Sequence, residues 1–202
     1  HIDASGNLIL RGSFDATTDF NPGPAVYNKT TLGESDMFIE KLDADGNFRW
    51  VATFGGFGSD GMASIDVDEL GNIFASGGFN FTVDFDPGPG AFPLTASTIP
   101  HSKGFLLKLD PWARLVWVKD MGFDCSGNQV KVSPNGHLNS IWTFSYTVEV
   151  NADPLVSFTA AYSDVLVVRY IPTGDWNFYG SVFNDINGNG LRENDEPGIP
   201  NV

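Results

Sequence analysis

The chain has one cysteine, Cys125, in 202 residues. No internal disulfide can form, and no neighbouring Cys and His residues surround that thiol as a zinc site requires. It reads as a small core residue or a loop thiol. Histidine is also scarce: His1, His101 and His137 fall in unrelated turns or loops, with no Ser/His/Asp order that would assemble a nucleophile and its base. Basic residues number 11 against 25 acidic ones, a formal net charge of −14. A surface of that sign repels nucleic-acid phosphates and anionic lipid headgroups, and its natural counterpart is a cation. No run of about twenty apolar residues exists, so no segment reads as a membrane span. No stretch holds a helical period, and 23 glycines and 12 prolines argue against long helices. Neither a signal peptide nor an initiator Met stands at the start. His1-Ile2-Asp3 already lies inside a repeat, so the chain reads as a segment of a longer protein.

What the chain does have is a core's worth of apolar residues, 42%, arranged with a fixed period. Asp19-Phe20-Asn21-Pro22-Gly23-Pro24 returns as Asp84-Phe85-Asp86-Pro87-Gly88-Pro89, 65 residues on. The same step carries Gly6-Asn7 to Gly71-Asn72 and to Gly136-His137. Each copy opens on a Gly-containing turn that supplies positive φ for a hairpin. Strands follow at Leu8–Phe14, Ile73–Phe79 and from Leu138. A second strand, Met37–Leu42, matches Gly104–Leu109 and Val165–Tyr170, with Lys41, Lys108 and Arg169 at one shared place. A third contains Phe48-Arg49-Trp50-Val51, matched by Leu115–Val118 and Trp176–Phe178. A fourth, Ala63–Val67 and Asn128–Val132, leads into the next copy. Four short antiparallel strands per unit with Gly-rich turns predict an all-β fold of propeller-type blades, about three of them, near 1–65, 66–130 and 131–178. The repeat is too long for one coil of a β-solenoid and too regular for most β-sandwiches.

The frame Asp-Ala-x-Gly-Asn, apolar strand, Gly-Ser-Phe, then Asp36-Met37-Phe38-Ile39-Glu40-Lys41-Leu42-Asp43, Phe48-Arg49-Trp50 and Gly55-Gly56 resembles the β-propeller repeat of bacterial secreted and surface proteins. The likeness spans roughly residues 3 to 178. The third copy departs from it, with Trp142-Thr143-Phe144 in place of Gly-x-Phe and Glu149–Pro154 in place of the Pro-Gly-Pro loop. The resemblance implies a scaffold or interaction module without a shared catalytic set. Three blades alone do not close a ring and leave sheet edges open, so either more blades precede His1 or the blades pair with something else, self-association through open edges included.

The pattern changes at Tyr179. Gly180-Ser181-Val182-Phe183 reads as a new strand, followed by Asp185-Ile186-Asn187-Gly188-Asn189-Gly190-Leu191-Arg192-Glu193-Asn194-Asp195-Glu196. Counted from Asp185, oxygen side chains stand where the twelve-residue calcium loop requires them, with Gly190 at the sharp bend. The expected Ca²⁺ ligands are Asp185, Asn187, Asn189, the Leu191 carbonyl, Glu193 directly or through water, and Glu196. Pro197-Gly198 blocks an exiting helix, so this is not a helix-loop-helix hand. An Asn/Gly-rich turn that binds nothing is the plainer alternative. Residues 179–202 resemble the opening of the B-type domains of bacterial serine-aspartate-repeat adhesins, with Gly-x-Val-Phe-x-Asp-x-Asn-x-Asn-Gly and then Glu-Pro-Gly-Ile. That likeness implies the first strand and calcium loop of a β-sandwich stalk module.

Two smaller acidic motifs read as turns. Asp43-Ala44-Asp45-Gly46-Asn47 offers alternate oxygens but needs no metal as a turn, and Asp19 and Asp84 suit caps of the Pro-Gly loops. The spacing of Asp43-Ala44-Asp45-Gly46 differs from a sialidase-type box, and no catalytic set emerges. The expected function is non-catalytic: a secreted or cell-surface scaffold for adhesion, binding an unknown protein or glycan, joined to a calcium-stiffened stalk and to further domains of the same chain. Two other classes stay open, a polysaccharide hydrolase or lyase with its active site elsewhere, and an envelope or filament subunit.

Overall fold

The computed structural model describes residues 1–96, 102–123, 125–145, 147–150, 156–159, 164–172 and 176–182. Every regular element among them is a strand. β1 (Leu8–Phe14) leads through a short hairpin, β2 (Thr17–Asp19) and β3 (Asn28–Thr30), into β4 (Asp36–Leu42) and β5 (Phe48–Phe54). β6 (Gly61–Val67) and β7 (Ile73–Phe79) precede the hairpin β8 (Thr82–Asp84) and β9 (Pro93–Thr95), then β10 (Lys103–Leu109) and β11 (Leu115–Phe123). The third series is β12 (Cys125–Val132), β13 (Leu138–Phe144), the hairpin β14 (Thr147–Val150) and β15 (Val156–Thr159), β16 (Asp164–Pro172) and β17 (Trp176–Val182). Among the described residues the longer strands form three antiparallel sheets, ordered β1-β4-β5, β6-β7-β10-β11 and β12-β13-β16-β17, and each hairpin is a two-stranded ladder of its own. The fold is all-β and propeller-like: meandering sheets of one pattern, each carrying an inserted hairpin between two neighbouring strands.

The period is visible in the pairing register. Phe14, Phe79 and Phe144 stand opposite Asp36, Lys103 and Asp164, and Leu8, Ile73 and Leu138 opposite Leu42, Leu109 and Tyr170. Alternation then splits each sheet into two faces. Phe38, Phe105 and Leu166 share the face that looks back along the chain, and Ile39, Leu106 and Val167 share the face that looks forward. Sheets one and two meet through Ile9, Met37 and Ile39 against Phe105, Leu107 and Leu109. Sheets two and three meet through Phe74 and Leu106 against Trp142, Leu166 and Val168.

Three features differ from the sequence expectation in informative ways. First, the strand that closes each copy in the sequence pairs forward: β6 bonds to β7 and β12 to β13. A turn of five residues closes the local hairpin across the boundary between copies. Second, β17 runs through Phe178 and Tyr179 as one strand, with Phe178 opposite Tyr170 and Val182 opposite Leu166. Third, the Asp-Phe-x-Pro-Gly-Pro loops are the tips of paired hairpins, Asp19 opposite Asn28 and Asp84 opposite Pro93. Their aromatic residues are anchors. Phe20 meets Phe14 at 5.1 Å and Phe85 meets Phe79 at 5.4 Å, both edge to face. Burial of such a ring is worth about 1.5–3 kcal/mol, which pins the hairpin to its sheet.

The third copy's departure has a packing cause. In the first two sheets a glycine stands opposite a phenylalanine, Gly12 with Phe38 and Gly77 with Phe105. A Cβ at Gly12 would lie 2.7 Å from the Phe38 ring, so the ring covers the bare backbone. In the third sheet the sizes are exchanged, Trp142 opposite Leu166. Room for the indole comes from Gly104 of the sheet before it and from Gly127 on the neighbouring strand β12, since Trp142 Cζ3 is 2.9 Å and 2.8 Å from the positions a Cβ would take at these two glycines. Gly104 occupies the register position of Met37.

Candidate functional site

The acidic positions singled out in the sequence are mostly spent on the backbone. Asp43 Oδ1 accepts the Asp45 and Asn47 N–H groups at 3.0 and 2.8 Å, and Asn47 Nδ2 bridges both carboxylate oxygens at 3.1 Å. These bonds, that of the Asn47 backbone first, hold the Asp43 carboxyl below its usual range. Asp3, Asp68 and Asp110 make the same turn. At the last of these Ala113 adopts φ 64° where Gly6, Gly46 and Gly71 stand at 81–82°. The turn therefore survives the loss of its glycine and asparagine letters. Asp19 Oδ1 accepts from Asn21 and Tyr27, and Asp84 Oδ1 from Asp86 and Phe92, the capping role expected of both. His137 sits in the turn of Ser133 and Asn135. The calcium-loop residues Asp185, Asn187, Asn189, Leu191, Glu193 and Glu196, and also His101, lie outside the described residues. Cys125 is fully buried, and burial, aided by the charge of Asp120, pushes its thiol up to about 12.

The acids that do stand in unusual surroundings are others. Glu40, on β4, is buried in a groove of about 710 Å³ on the backward face of the first sheet. Leu10, Phe14, Phe20, Phe38 and Leu42 line it with Ser13, Thr18 and Pro22, and Asp15 and Asp19 stand at its side. Glu40 Oε1 has no hydrogen-bond partner among the described residues, and burial raises its carboxyl above the usual range. The groove is thus apolar, acidic and without a lining cation.

At the junction of the first two sheets, Asp60 is 3% exposed. Its two oxygens accept the Gly56 and Asn80 N–H groups at 3.1 and 3.0 Å. Burial dominates nevertheless, and with the nearby charge of Asp36 it lifts the Asp60 carboxyl to about 6. Asp36, packed on Gly55, accepts from the Leu32 N–H at 3.0 Å and is itself raised by burial.

A fourth buried acid, Asp66, clasps neighbouring copies. Its Oδ1 lies 3.1 Å from His1 Nδ1 and 3.1 Å from Lys131 Nζ, and its Oδ2 accepts the Val132 N–H at 2.8 Å. His1, Asp66 and Lys131 are successive steps of the 65-residue period. One register position from three copies therefore converges on one carboxylate.

Chemically these arrangements hold sheets together. Among the described residues no group of three or more His, Cys, Asp or Glu is placed to hold a metal ion, and no helix is long and apolar enough to cross a membrane. Sequence reasoning missed Asp36, Glu40, Asp60 and Asp66 as buried groups. The signal available was register: Glu40 is the charged letter at a position occupied by Leu107 and Val168 in the other copies.

No protein-family model matches the chain. An uncharacterized WD repeat-containing protein of Acanthamoeba polyphaga mimivirus is 23% identical over 236 aligned residues, covering 95% of this chain and 16% of the relative. The chain spans about a sixth of that relative's length, 16%.

Proposed function

We propose that the chain is a non-catalytic repeat scaffold in which stacked propeller-like sheets present loops and open faces to a protein or glycan partner. The observation that carries this reading is the use of its acids. Asp3, Asp19, Asp43, Asp60, Asp68, Asp84 and Asp110 each accept backbone N–H groups within turns or junctions, so the plentiful carboxylates serve the framework. A viral relative named for WD repeats supports the repeat-scaffold part. Beyond the sheets, Asp185 to Glu196 forms a Ca²⁺ loop that stiffens the exit of the chain toward a stalk, in a secreted or cell-surface setting. The support there is the ligand spacing alone.

Limited proteolysis with and without chelator tests the calcium part. Ca²⁺ at roughly millimolar concentration, the range of extracellular modules, protects the segment from Tyr179 to Glu196, and Asp185→Ala together with Glu196→Ala removes the protection. Cleavage that is identical with and without the ion overturns it. The scaffold part is tested by pull-down on immobilised glycans and surface proteins. Turnover of any glycan probe would refute the non-catalytic reading.

A further inference from the structure

The loops at the edge of the first junction carry apolar side chains that the core does not take. Leu32 is 74% exposed and Phe57 79%, and the Phe81 ring meets the Phe57 ring edge to face at 6.1 Å. They come from three segments, 31–35, 55–60 and the turn at Asn80. Those segments are knit into one surface. Gly33 lies on the backbone of Gly56 and Phe57, where a Cβ would come within 2.5 Å, and Gly58 lies against the Phe81 ring. Ser35 and Ser59 form a parallel bridge, and the Asp60 N–H donates to the Ser35 carbonyl at 3.1 Å. A partner that lands here meets a surface already ordered. Nor does the turn ask for an aromatic ring at Phe81. Its φ is 58°, a left-handed conformation that bulky residues disfavour, and Ala16, one period earlier, holds φ 54° with a single methyl group. With Phe57 in solvent and Phe81 half-buried beside it, the ring pair adds little to the core.

The polar chemistry around these side chains is one-sided. Residues 31–36, 55–60 and 80–82 include the acids Glu34, Asp36 and Asp60 and no Lys, Arg or His. Asp36 and Asp60 are buried, so Glu34 is the acid that reaches solvent. Its neutral neighbours are turned inward: the Ser59 hydroxyl donates to Glu34 Oε2 at 2.8 Å, and Asn80 Nδ2 donates to the Ser59 carbonyl at 2.6 Å. What remains on offer is an apolar centre with a carboxylate at its rim. An oligosaccharide is held by several free donors and acceptors, whereas a cationic side chain beside an apolar one matches this pair of features. We propose that Leu32, Phe57 and Phe81, with Glu34 at their edge, form a docking patch for a segment of a partner protein that presents a Lys or Arg next to an apolar side chain. This rests on the scaffold reading above and gives its partner a surface and a chemistry. Apolar contact holds the segment, and the rim charge orients it.

Fluorescence anisotropy on the purified chain tests it. The probes are labelled short peptides of arginine and leucine, glutamate and leucine, serine and leucine, and arginine and serine, beside a neutral and an acidic oligosaccharide. The arginine-leucine peptide should bind tightest, and Phe57→Ser or Leu32→Ser should each weaken it by roughly tenfold. Both side chains stand in solvent, so the variants should keep the far-ultraviolet circular dichroism of the wild type. Glu34→Gln, which keeps an acceptor for Ser59, should weaken binding by roughly two- to fivefold and flatten its salt dependence. Trp112→Ser, at an exposed position in the turn between β10 and β11 at the opposite end of the strands, should change nothing. Arginine-leucine binding that survives both Phe57→Ser and Leu32→Ser is attraction to the net negative charge of the chain and overturns the proposal. Equal binding of the glutamate-leucine peptide overturns it too, as does an oligosaccharide whose binding Phe57→Ser abolishes, since the patch would then be a glycan site. No binding of any peptide to a chain that still melts cooperatively sinks the docking patch and leaves the scaffold reading intact, whereas turnover of an oligosaccharide would strike the scaffold reading itself.

Discussion

Asp60 makes stability at the first junction depend on pH. Its carboxyl titrates at about 6 in the folded chain, against 3.8 ordinarily. A raised acid binds its proton more tightly when folded, so its contribution is fully present below pH 3.8 and is lost as pH rises through 6. The difference of roughly two pH units corresponds to about 3 kcal/mol, or about 2 once screening by nearby water is allowed for. Replacement by Asn removes the titration and keeps the shape. It also leaves one acceptor oxygen where two N–H groups, of Gly56 and Asn80, had partners. That loss costs about 1–3 kcal/mol at any pH. Asp60→Asn should therefore be less stable than wild type near pH 4 and should close the gap by about 2–3 kcal/mol as pH approaches 8. Urea unfolding followed by tryptophan fluorescence at several pH values measures the difference directly. A stability difference that stays constant across that range would refute the reasoning, since it would mean that the buried carboxyl titrates alike in both states.

Two further outcomes follow from packing. Cys125, fully buried with its thiol raised to about 12, should resist alkylation in the folded chain and react at once in denaturant, so labelling rate reports opening of the second junction; rapid labelling under native conditions would contradict the burial. Trp142→Gly should cost about 3–5 kcal/mol as a cavity mutation, and adding Leu166→Phe should recover part of it by restoring the Gly-Phe pair of the other sheets, a positive coupling in a double-mutant cycle.

Much of the fold was legible because a 65-residue period in the letters is a period in the hydrogen-bond register. Gly6, Gly71 and Gly136 mark turns of one kind, and Lys41, Lys108 and Arg169 mark one register position. What escaped was the assignment of strands to sheets. Val67 and Leu8 both flank a Gly-Asn turn in sequence, and only the pairing of Val67 with Ile73 reveals that the fourth strand belongs to the sheet after it. The short hairpins escaped because Thr17–Asp19 and Thr82–Asp84 are three residues each, too brief for alternation to register. The buried acids escaped for a different reason: burial of Asp60 is a property of which sheet lies opposite and that of Glu40 of the groove that Phe20, Phe38 and Leu10 build around it, and no local pattern carries either. The turn at Asp110 shows the converse, since its letters differ from Asp43-Ala44-Asp45-Gly46-Asn47 while its hydrogen bonds are the same.

The two junctions are built on one plan but differ in their chemistry. The place held by Asp60, just before the strand partner of Gly78, is held by Cys125 opposite Phe144 in the next copy, and the place held by Asp36 is held by Lys103. In the first junction two carboxyls, both raised by burial, compete for charge. In the second, Lys103 forms an ion pair with Asp120 and the buried thiol stays neutral. Acidification from neutrality toward pH 4 therefore relieves repulsion at the first junction, where both carboxyls are raised by burial. The first junction should gain over that interval, and the second has no matching pair of raised carboxyls to relieve. Hydrogen exchange can separate them: amide protection at Gly56 and Asn80 should rise on acidification, after correction for the intrinsic rate, while protection on β12 and β13 stays level. Equal changes on both would mean that the sheets open as a single unit, so that the acid pair would act on the whole stack and not on its own joint.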